Sequence, residues 1–190
     1  MRAVPDVTLG LLAGGRATRL GGMDKAWLRR SGVPQVVRLA QRFAPEVDAI
    51  LVSANRNLEH YPVHGLAVVP DRLADAGPLG GLDALARACA TRWLLTLPVD
   101  VVAVNDCLLP TLAAAGSRGA HAVDDDGVQP LVALWPASLL RDALPAALAG
   151  DRSAQALQAR LGMEAVRLSG VRFGNLNTPE DLAAAGVEGA

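Results

Sequence analysis

Short apolar runs alternate with helical patterns along the first half of the chain. Each run is mostly apolar on both of its faces, which is typical of strands buried inside a parallel sheet. The runs are 7–12, 49–52, 66–69 and 93–97, and the helical patterns are 34–43, 79–90 and 106–114. Strands that alternate with helices in this way form a sheet with helices on both faces. The sequence therefore predicts an α/β fold, a three-layer sandwich with a mostly parallel, Rossmann-like sheet.

The second half of the chain is less regular. Two apolar runs, 120–123 and 131–135, flank a turn at 125–127 and predict an antiparallel edge to the sheet. Helical patterns follow at 138–148 and 153–161. No linker or internal repeat separates the two halves, and we expect a single domain over residues 1–190.

The segment NLNTPEDL at 175–182 signals the start of a short final helix. Thr178 is a residue type that caps helices, and Pro179 suits the first helical position. Glu180 and Asp181 would complement the helix dipole.

Composition excludes several classes of protein. The chain has 190 residues, of which 51% are hydrophobic, and a net charge of -1, so it is neither disordered nor broadly basic. We therefore expect no nucleic-acid partner. Cys89 and Cys107 lack the spacing of a disulfide framework or a zinc site. No apolar stretch resembles a leader or a membrane span, so we expect a cytoplasmic protein without a membrane partner.

A glycine-rich loop, LAGGRATRLGGMDK at 12–25, directly follows the first predicted strand, where open α/β sheets hold their ligands. Its glycines let the backbone approach a ligand and aim N–H groups at phosphate oxygens. Arg16, Arg19 and Lys25 add positive charge. Lys25 is the only lysine among 18 basic residues, which suggests a need for a compact ammonium group. The loop predicts a cradle for a polyphosphate.

Two better-known phosphate loops do not fit this segment. Gly10, Gly14 and Gly15 do not give GxGxxG, and Arg16 and Ala17 stand where a Walker A motif needs Lys and then Ser or Thr. A glycine-rich surface turn with scattered basic residues is the alternative interpretation.

Two aspartates follow predicted strands. Asp100 comes after the fourth strand, which places a carboxylate in the same crevice as the loop. Mg²⁺ takes one or two carboxylates together with substrate phosphates, so Asp100 suits a magnesium site, with a loop or capping role as the alternative. Asp71 ends the third strand, and its position alone leaves nucleotide contact and turn formation equally open.

With these motifs the chain resembles the molybdenum cofactor guanylyltransferases, within the larger group of sugar-nucleotide-type nucleotidyltransferases. The loop fits their signature LAGG-x3-R-x-GG-x-DK. Further segments match in order: SANR at 53–56, VPD at 69–71, GPLGG at 77–81, PVD at 98–100, QP at 129–130 and NLNTPEDL at 175–182. The resemblance covers nearly the whole chain.

The resemblance implies transfer of GMP from GTP to the terminal phosphate of molybdopterin, with Mg²⁺ as cofactor and release of pyrophosphate. It also implies transient partner proteins that deliver or accept the molybdenum cofactor. The implied catalytic residues are Lys25, Arg19 and Asp100, with Asp100 as the metal ligand. The implied nucleotide-binding residues are Leu12, Ala13, Gly14, Gly15, Lys25, Ser53, Asp71 and Asp100. The implied acceptor-binding residues are Gly80, Gly81, Asn175 and Asn177.

Two positions depart from the family pattern. Ser53 stands where asparagine is usual, and Val102 stands where proline often occurs. Serine lacks the paired donor and acceptor of an amide, so contact with the base would differ. Three alternatives stay open: a cytidylyltransferase for the same acceptor, whose loop usually reads LAAG, another small-phosphate nucleotidyltransferase, and a nucleotide-binding regulator without turnover.

Overall fold

The computed structural model describes Val4 and residues 6–14, 23–73 and 75–188. The strands are β1 (Val7–Leu12), β2 (Arg29–Arg30), β3 (Val33–Pro34), β4 (Ala49–Ser53), β5 (Ala67–Val69), β6 (Trp93–Pro98), β7 (Ala120–Asp124), β8 (Gly127–Pro136), β9 (Glu164–Arg167) and β10 (Val187–Glu188). The helices are α1 (Gln35–Phe43), α2 (His60–Val63), α3 (Pro78–Ala88), α4 (Leu108–Ala114), α5 (Ala137–Ala149), α6 (Ala154–Leu161) and α7 (Pro179–Ala184), and a 3-10 turn covers Lys25–Trp27.

Seven strands form one mixed sheet in the order β5-β4-β1-β6-β8-β7-β9. The strands β4, β1 and β6 are parallel, and their register places Leu12 beside both Ser53 and Pro98. The carboxyl ends of these three strands therefore lie at one edge of the sheet. The predicted α/β fold with a mostly parallel sheet is confirmed.

The antiparallel pairing lies in the part of the sheet built by the second half of the chain, as expected. Strand β8 runs antiparallel to both β6 and β7. It is nevertheless an internal strand, because β7 and then β9 continue the sheet beyond it. The sequence did not predict β9, whose residues are mostly exposed and give no apolar run. It also did not predict the small sheet β10-β2-β3, whose strands have two residues each.

The core lies on both faces of the large sheet. One hydrophobic cluster includes Phe43 of α1 and Leu112 of α4, and the other includes Leu82 of α3, Leu140 of α5 and Leu157 of α6. The three layers predicted from the alternation of strands and helices are therefore present.

Strand β1 runs through the middle of this core. Leu9 and Leu11 belong to the first cluster, and Gly10 faces α3 on the other side of the sheet. A Cβ at Gly10 would lie 2.9 Å from Leu85 Cδ1 and 3.0 Å from Leu94 Cδ1. Glycine in this strand thus allows α3 to pack closely against β1.

The final helix begins as predicted. The Thr178 side chain accepts from the Asp181 backbone N–H at 3.2 Å, and the Asp181 side chain accepts from the Thr178 N–H at 2.9 Å. This reciprocal capping box fixes the entry into α7, with Pro179 at its first position. No helix in the described part of the chain is long and apolar enough to cross a membrane.

Candidate functional site

A pocket opens where β1, β4 and β6 end. It has a volume of about 180 Å³. Its lining residues come from the ends of these strands and the loops after them, from the 3-10 turn and the start of α3, and from Asp71 after β5 and Leu131 of β8. A more open depression of about 820 Å³ adjoins it and shares five lining residues with it: Ala13, Gly14, Asp71, Gly77 and Pro78. Together they form one crevice at the strand ends, the position in which open α/β sheets bind ligands.

Lys25 lies in this pocket and contacts two distant segments of the chain. Its Nζ donates to Asp100 Oδ2 at 3.0 Å and to Asn177 Oδ1 at 2.6 Å. The side chains of Lys25 and Asp100 are 18% and 22% exposed, so a ligand in the pocket can reach both. The structure therefore brings together the lysine of the loop, the aspartate after β6 and an asparagine of the 175–182 segment.

The turn that carries Lys25 is fixed by Asp24. The Asp24 side chain accepts from the Ala26 N–H at 3.1 Å and from Asn57 Nδ2 at 2.9 Å. Asp24 also lines the pocket. Sequence reasoning gave this residue no role, although it is part of the loop motif.

Backbone hydrogen bonds hold Asp100 beside Lys25. Val99 N–H donates to Leu12 O at 3.1 Å, and Leu176 N–H donates to Asp100 O at 3.1 Å. Val101 also forms a β-bridge with Asn175. The loop after β6 and the segment before α7 are thus one connected unit on the Lys25 side of the pocket.

Val102 makes a hydrogen bond that the proline of the family pattern could not make. Its N–H donates to Phe173 O at 3.0 Å, and the next residue, Ala103, donates to the same oxygen at 2.9 Å. Proline has no N–H. The departure at Val102 therefore adds a contact that holds the loop after Asp100.

The far wall of the pocket holds a second carboxylate, Asp71, with donors on both oxygens. Ser53 Oγ donates to Asp71 Oδ1 and Asn55 Nδ2 donates to Asp71 Oδ2, each at 2.9 Å. In return, the Asp71 N–H donates to Asn55 Oδ1 at 2.9 Å. Sequence reasoning missed Asn55 as a site residue, although it follows β4 by two positions. Ser53, which departs from the family pattern, is here a partner of Asp71.

Gly80 and Gly81, predicted to bind the acceptor, lie in the first turn of α3 against this far wall. A Cβ at Gly81 would lie 2.7 Å from Ser53 Oγ and 3.0 Å from Leu12 Cδ2, and one at Gly80 would lie 3.0 Å from Asp71 Oδ2. The two glycines let α3 approach the Ser53 and Asp71 side chains. Contact with an acceptor stays a prediction.

The predicted backbone cradle is partly engaged within the protein. Ala13 N–H, one of the groups expected to face phosphate oxygens, donates to Ser53 O at 2.8 Å. Leu12 and Gly14 line the pocket. Gly15, Arg16 and Arg19 lie outside the described residues, so their roles remain predictions.

Asn175 and Asn177 lie on the Lys25 side of the crevice. Asn177 contacts Lys25, and its backbone N–H donates to Asp181 Oδ2 at 3.1 Å. Hydrogen bonds from the N–H groups of Asn177 and Thr178 hold the pKa of the Asp181 carboxyl below its usual value, and the Lys25 charge acts in the same direction. Asp181 therefore fixes the backbone of the residue that contacts Lys25.

Another aspartate, Asp124, is fully buried at the end of β7. Burial by itself would raise the pKa of its carboxyl. Four hydrogen bonds outweigh this effect and lower the pKa below its usual value; the donors are the Phe173 N–H, the Gln129 side chain and the N–H groups of Asp126 and Gly127. Asp124 is therefore ionised at neutral pH.

The lowered pKa of Asp124 predicts an acid-dependent contribution to stability. Because its pKa is lower in the folded than in the unfolded state, the contribution is complete above the unfolded pKa and is lost as the pH falls through the folded one. The difference in free energy of unfolding between wild type and Asp124→Asn should shrink between about pH 6 and about pH 3. Urea unfolding at several pH values measures it. Asp106→Asn, at a side chain that is 92% exposed, is the control. A difference that is constant with pH would contradict the prediction.

Enzymes that transfer phosphorus groups work mainly by positioning and by charge stabilisation, and a strand-end crevice with a lysine and carboxylates can supply both. This fold with this site is that of a nucleotidyltransferase. The chain belongs to the MobA-like NTP transferase family, whose domain profile matches residues 10–166.

Named relatives are similar along almost the whole chain. The chain is 39% identical over 188 residues to the molybdenum cofactor guanylyltransferase of Pseudomonas aeruginosa strain PAO1, covering 95% of each protein. It is 37% identical over 194 residues to that of Cupriavidus pinatubonensis, covering 96% of this chain and 97% of the relative. Molybdopterin-guanine dinucleotide biosynthesis protein A from Archaeoglobus fulgidus has a similar fold, with a TM-score of 0.71, 21% identity, and coverage of 94% of this chain and 96% of that one.

Proposed function

We propose that this nucleotidyltransferase transfers GMP from GTP to the terminal phosphate of molybdopterin, forming the guanine dinucleotide cofactor and releasing pyrophosphate. The observation that carries the proposal is the contact of Lys25 Nζ with Asp100 and Asn177. On the opposite wall, Ser53 and Asn55 hold the carboxylate of Asp71 by hydrogen bonds. One wall of the crevice thus offers charges for phosphates and the other an acceptor for a base.

Asp71 favours guanine among the nucleotide bases. A carboxylate is acceptor-only, and the guanine edge presents two adjacent donors, N1–H and N2–H. The corresponding cytosine edge presents two acceptors and one donor, which would leave acceptor facing acceptor. Ser53 and Asn55 each donate a hydrogen bond to one oxygen of the Asp71 carboxylate, so together they hold it in one orientation for a base.

The proposed reaction needs no nucleophile from the protein. A terminal phosphate oxygen of the acceptor attacks the α-phosphorus of GTP and forms the new P–O bond. The bond from that phosphorus to the oxygen bridging the α- and β-phosphates breaks, and pyrophosphate leaves with the electron pair. The attacking phosphate is already largely ionised at neutral pH, because its second pKa is about 6. Lys25 neutralises charge that develops on the phosphates.

The residues present fit a magnesium ion that is bound jointly with substrate phosphates. In the described part of the chain no three His, Cys, Asp or Glu side chains form a metal group of their own. Mg²⁺ needs only one or two carboxylates when phosphates supply other ligands. Asp100, with Asp24 lining the same pocket, would hold it. A bound Mg²⁺ would neutralise negative charge on the phosphates of GTP and on the departing pyrophosphate.

Identification of the product tests the function and the alternatives together. The purified protein is incubated with Mg²⁺, molybdopterin and either GTP, CTP or ATP, and the product is identified by mass. We expect the guanine dinucleotide as the main product. A cytosine dinucleotide would favour the cytidylyltransferase, and GTP binding without any product would favour a regulator.

The base preference should depend on Asp71. Asp71→Asn replaces one acceptor oxygen with a donor amide, which would face the donors of guanine. We expect the preference in kcat/KM for GTP over CTP to fall by about 10-fold or more, since one hydrogen bond to a charged group contributes about 1.5–3 kcal/mol. Glu59→Gln, an exposed change on the loop before α2, is the control. An unchanged preference in Asp71→Asn would show that another residue selects the base.

A further inference from the structure

Asp124 lies outside the pocket but is connected to its phosphate end, the side with Lys25, Asp100 and Asn177 where the proposed function places the phosphates of GTP. Its Oδ1 accepts from the N–H groups of Asp126 and Gly127 at 3.0 and 3.1 Å and from Gln129 Nε2 at 3.1 Å. Its Oδ2 accepts from the Phe173 N–H at 2.9 Å. One oxygen thus binds the β7–β8 turn, and the other binds a segment 49 residues further along the chain.

The backbone of Phe173 continues this connection toward the site. Its N–H donates to Asp124, and its carbonyl oxygen accepts from the N–H groups of Val102 and Ala103. The two peptide groups that flank the Phe173 Cα are therefore both held, one by a buried carboxylate and the other by the loop that follows Asp100. Phe173 itself is fully buried, so its ring also anchors this position.

The next residues reach the phosphate end directly. Asn175 pairs with Val101, and Leu176 N–H donates to the carbonyl oxygen of Asp100. Asn177 then accepts from Lys25 Nζ. Three residues, one of them Gly174 with a φ of 62°, thus separate Phe173, whose N–H binds Asp124, from Asn177, whose side chain contacts Lys25.

We propose that Asp124 is a positioning residue for the phosphate end of the site, which acts through Phe173 on the placement of Asn177, Lys25 and Asp100. The inference rests on the proposed function for its catalytic consequence. Asp124 touches neither Ser53 nor Asp71, so the opposite wall should not depend on it. Replacement of this buried carboxylate is also costly, because the NH₂ group of an asparagine would face at least one of the N–H donors that now bind Asp124.

The test compares wild type, Asp124→Asn and Asp83→Asn. Asp83 is 3% exposed and pairs with Arg87 on α3, so its replacement also removes a buried carboxylate, but one without a contact to the 173–177 segment. For Asp124→Asn we expect kcat to fall by about 10- to 100-fold, because displacement of reacting groups by about 1 Å can cost 100-fold. The Kd for GTP should change by less than about 3-fold, and Asp83→Asn should keep the wild-type kcat.

A second readout does not need turnover. The Asn177 side-chain amide resonances of the ¹⁵N-labelled protein should shift in Asp124→Asn and stay in place in Asp83→Asn. If Asp124→Asn does not fold, Gln129→Met removes one of the four donors, and it should lower kcat by about 3-fold or more in a folded protein. Wild-type kcat together with unshifted Asn177 resonances in these variants would overturn the positioning role. Absence of product from wild type would instead overturn the proposed function and leave the resonance test standing.

Discussion

Asp100→Asn should lower turnover by at least about 100-fold, because it removes the carboxylate that pairs with Lys25 and that would hold Mg²⁺. In the absence of Mg²⁺, however, the same substitution should not weaken the binding of GTP. Removal of the Asp100 charge releases Lys25 Nζ to the phosphates, so metal-free GTP should bind as tightly as to wild type or more tightly. Addition of Mg²⁺ should then improve binding less than it does in wild type.

Calorimetric titration of GTP with and without Mg²⁺, together with product formation, measures both effects. Asp106→Asn is the matched control, since Asp106 also pairs with a basic side chain, Arg42, but on the exposed surface. Weaker metal-free binding in Asp100→Asn would mean that Asp100 serves the nucleotide in a way other than through Lys25 and the metal.

Lys25→Met should lower turnover by about 100-fold or more and weaken GTP binding by about 10-fold or more. Loss of a charged donor to phosphate costs about 1.5–3 kcal/mol, which corresponds to this change in affinity. Lys25→Arg should restore little activity, because the larger guanidinium holds its donors in one rigid plane and does not reproduce the compact ammonium between Asp100 Oδ2 and Asn177 Oδ1.

The control for this prediction is Arg152→Met, since Arg152 is exposed and donates to Leu148 O at the end of α5. Its turnover should stay within about 2-fold of wild type. Full activity of Lys25→Arg would show that any positive charge suffices at this position. The occurrence of lysine here, in a chain whose other basic residues are arginines, would then have no chemical explanation.

The alternation of apolar runs and helical patterns was sufficient to predict the layers and the parallel strands. Strand β1 is buried along its length, so its sequence carries the signal of its environment. Strand β9 is mostly exposed and pairs only at the edge of the sheet with β7 among the described strands, so no apolar pattern marks it. Burial, rather than strand formation itself, is what the apolar pattern reports.

The site was predictable where a residue directly follows a strand. Asp100 was placed in the crevice in this way, and Lys25 was marked by its rarity. Asp71 was assigned only through the family resemblance, because its position alone left nucleotide contact and turn formation equally open. Contacts that depend on tertiary folding were not predictable: Asn177 is 152 positions from Lys25, and Asp124 is 49 positions from Phe173. The sequence marked the 175–182 segment as a helix start, and only the fold places it against Lys25. The cytoplasmic location and the proteins that deliver or accept the cofactor stay predictions.

The central claim is that the α-phosphorus of GTP moves to the phosphate of molybdopterin. The most direct test is the fate of two labels, with GTP labelled in parallel at the α- or the γ-phosphate and incubated with the protein, Mg²⁺ and molybdopterin. We expect the α label in the pterin product and the γ label in pyrophosphate, in equal amounts. Label from the γ position in the pterin product, or release of γ label as inorganic phosphate without a labelled product, would contradict the account.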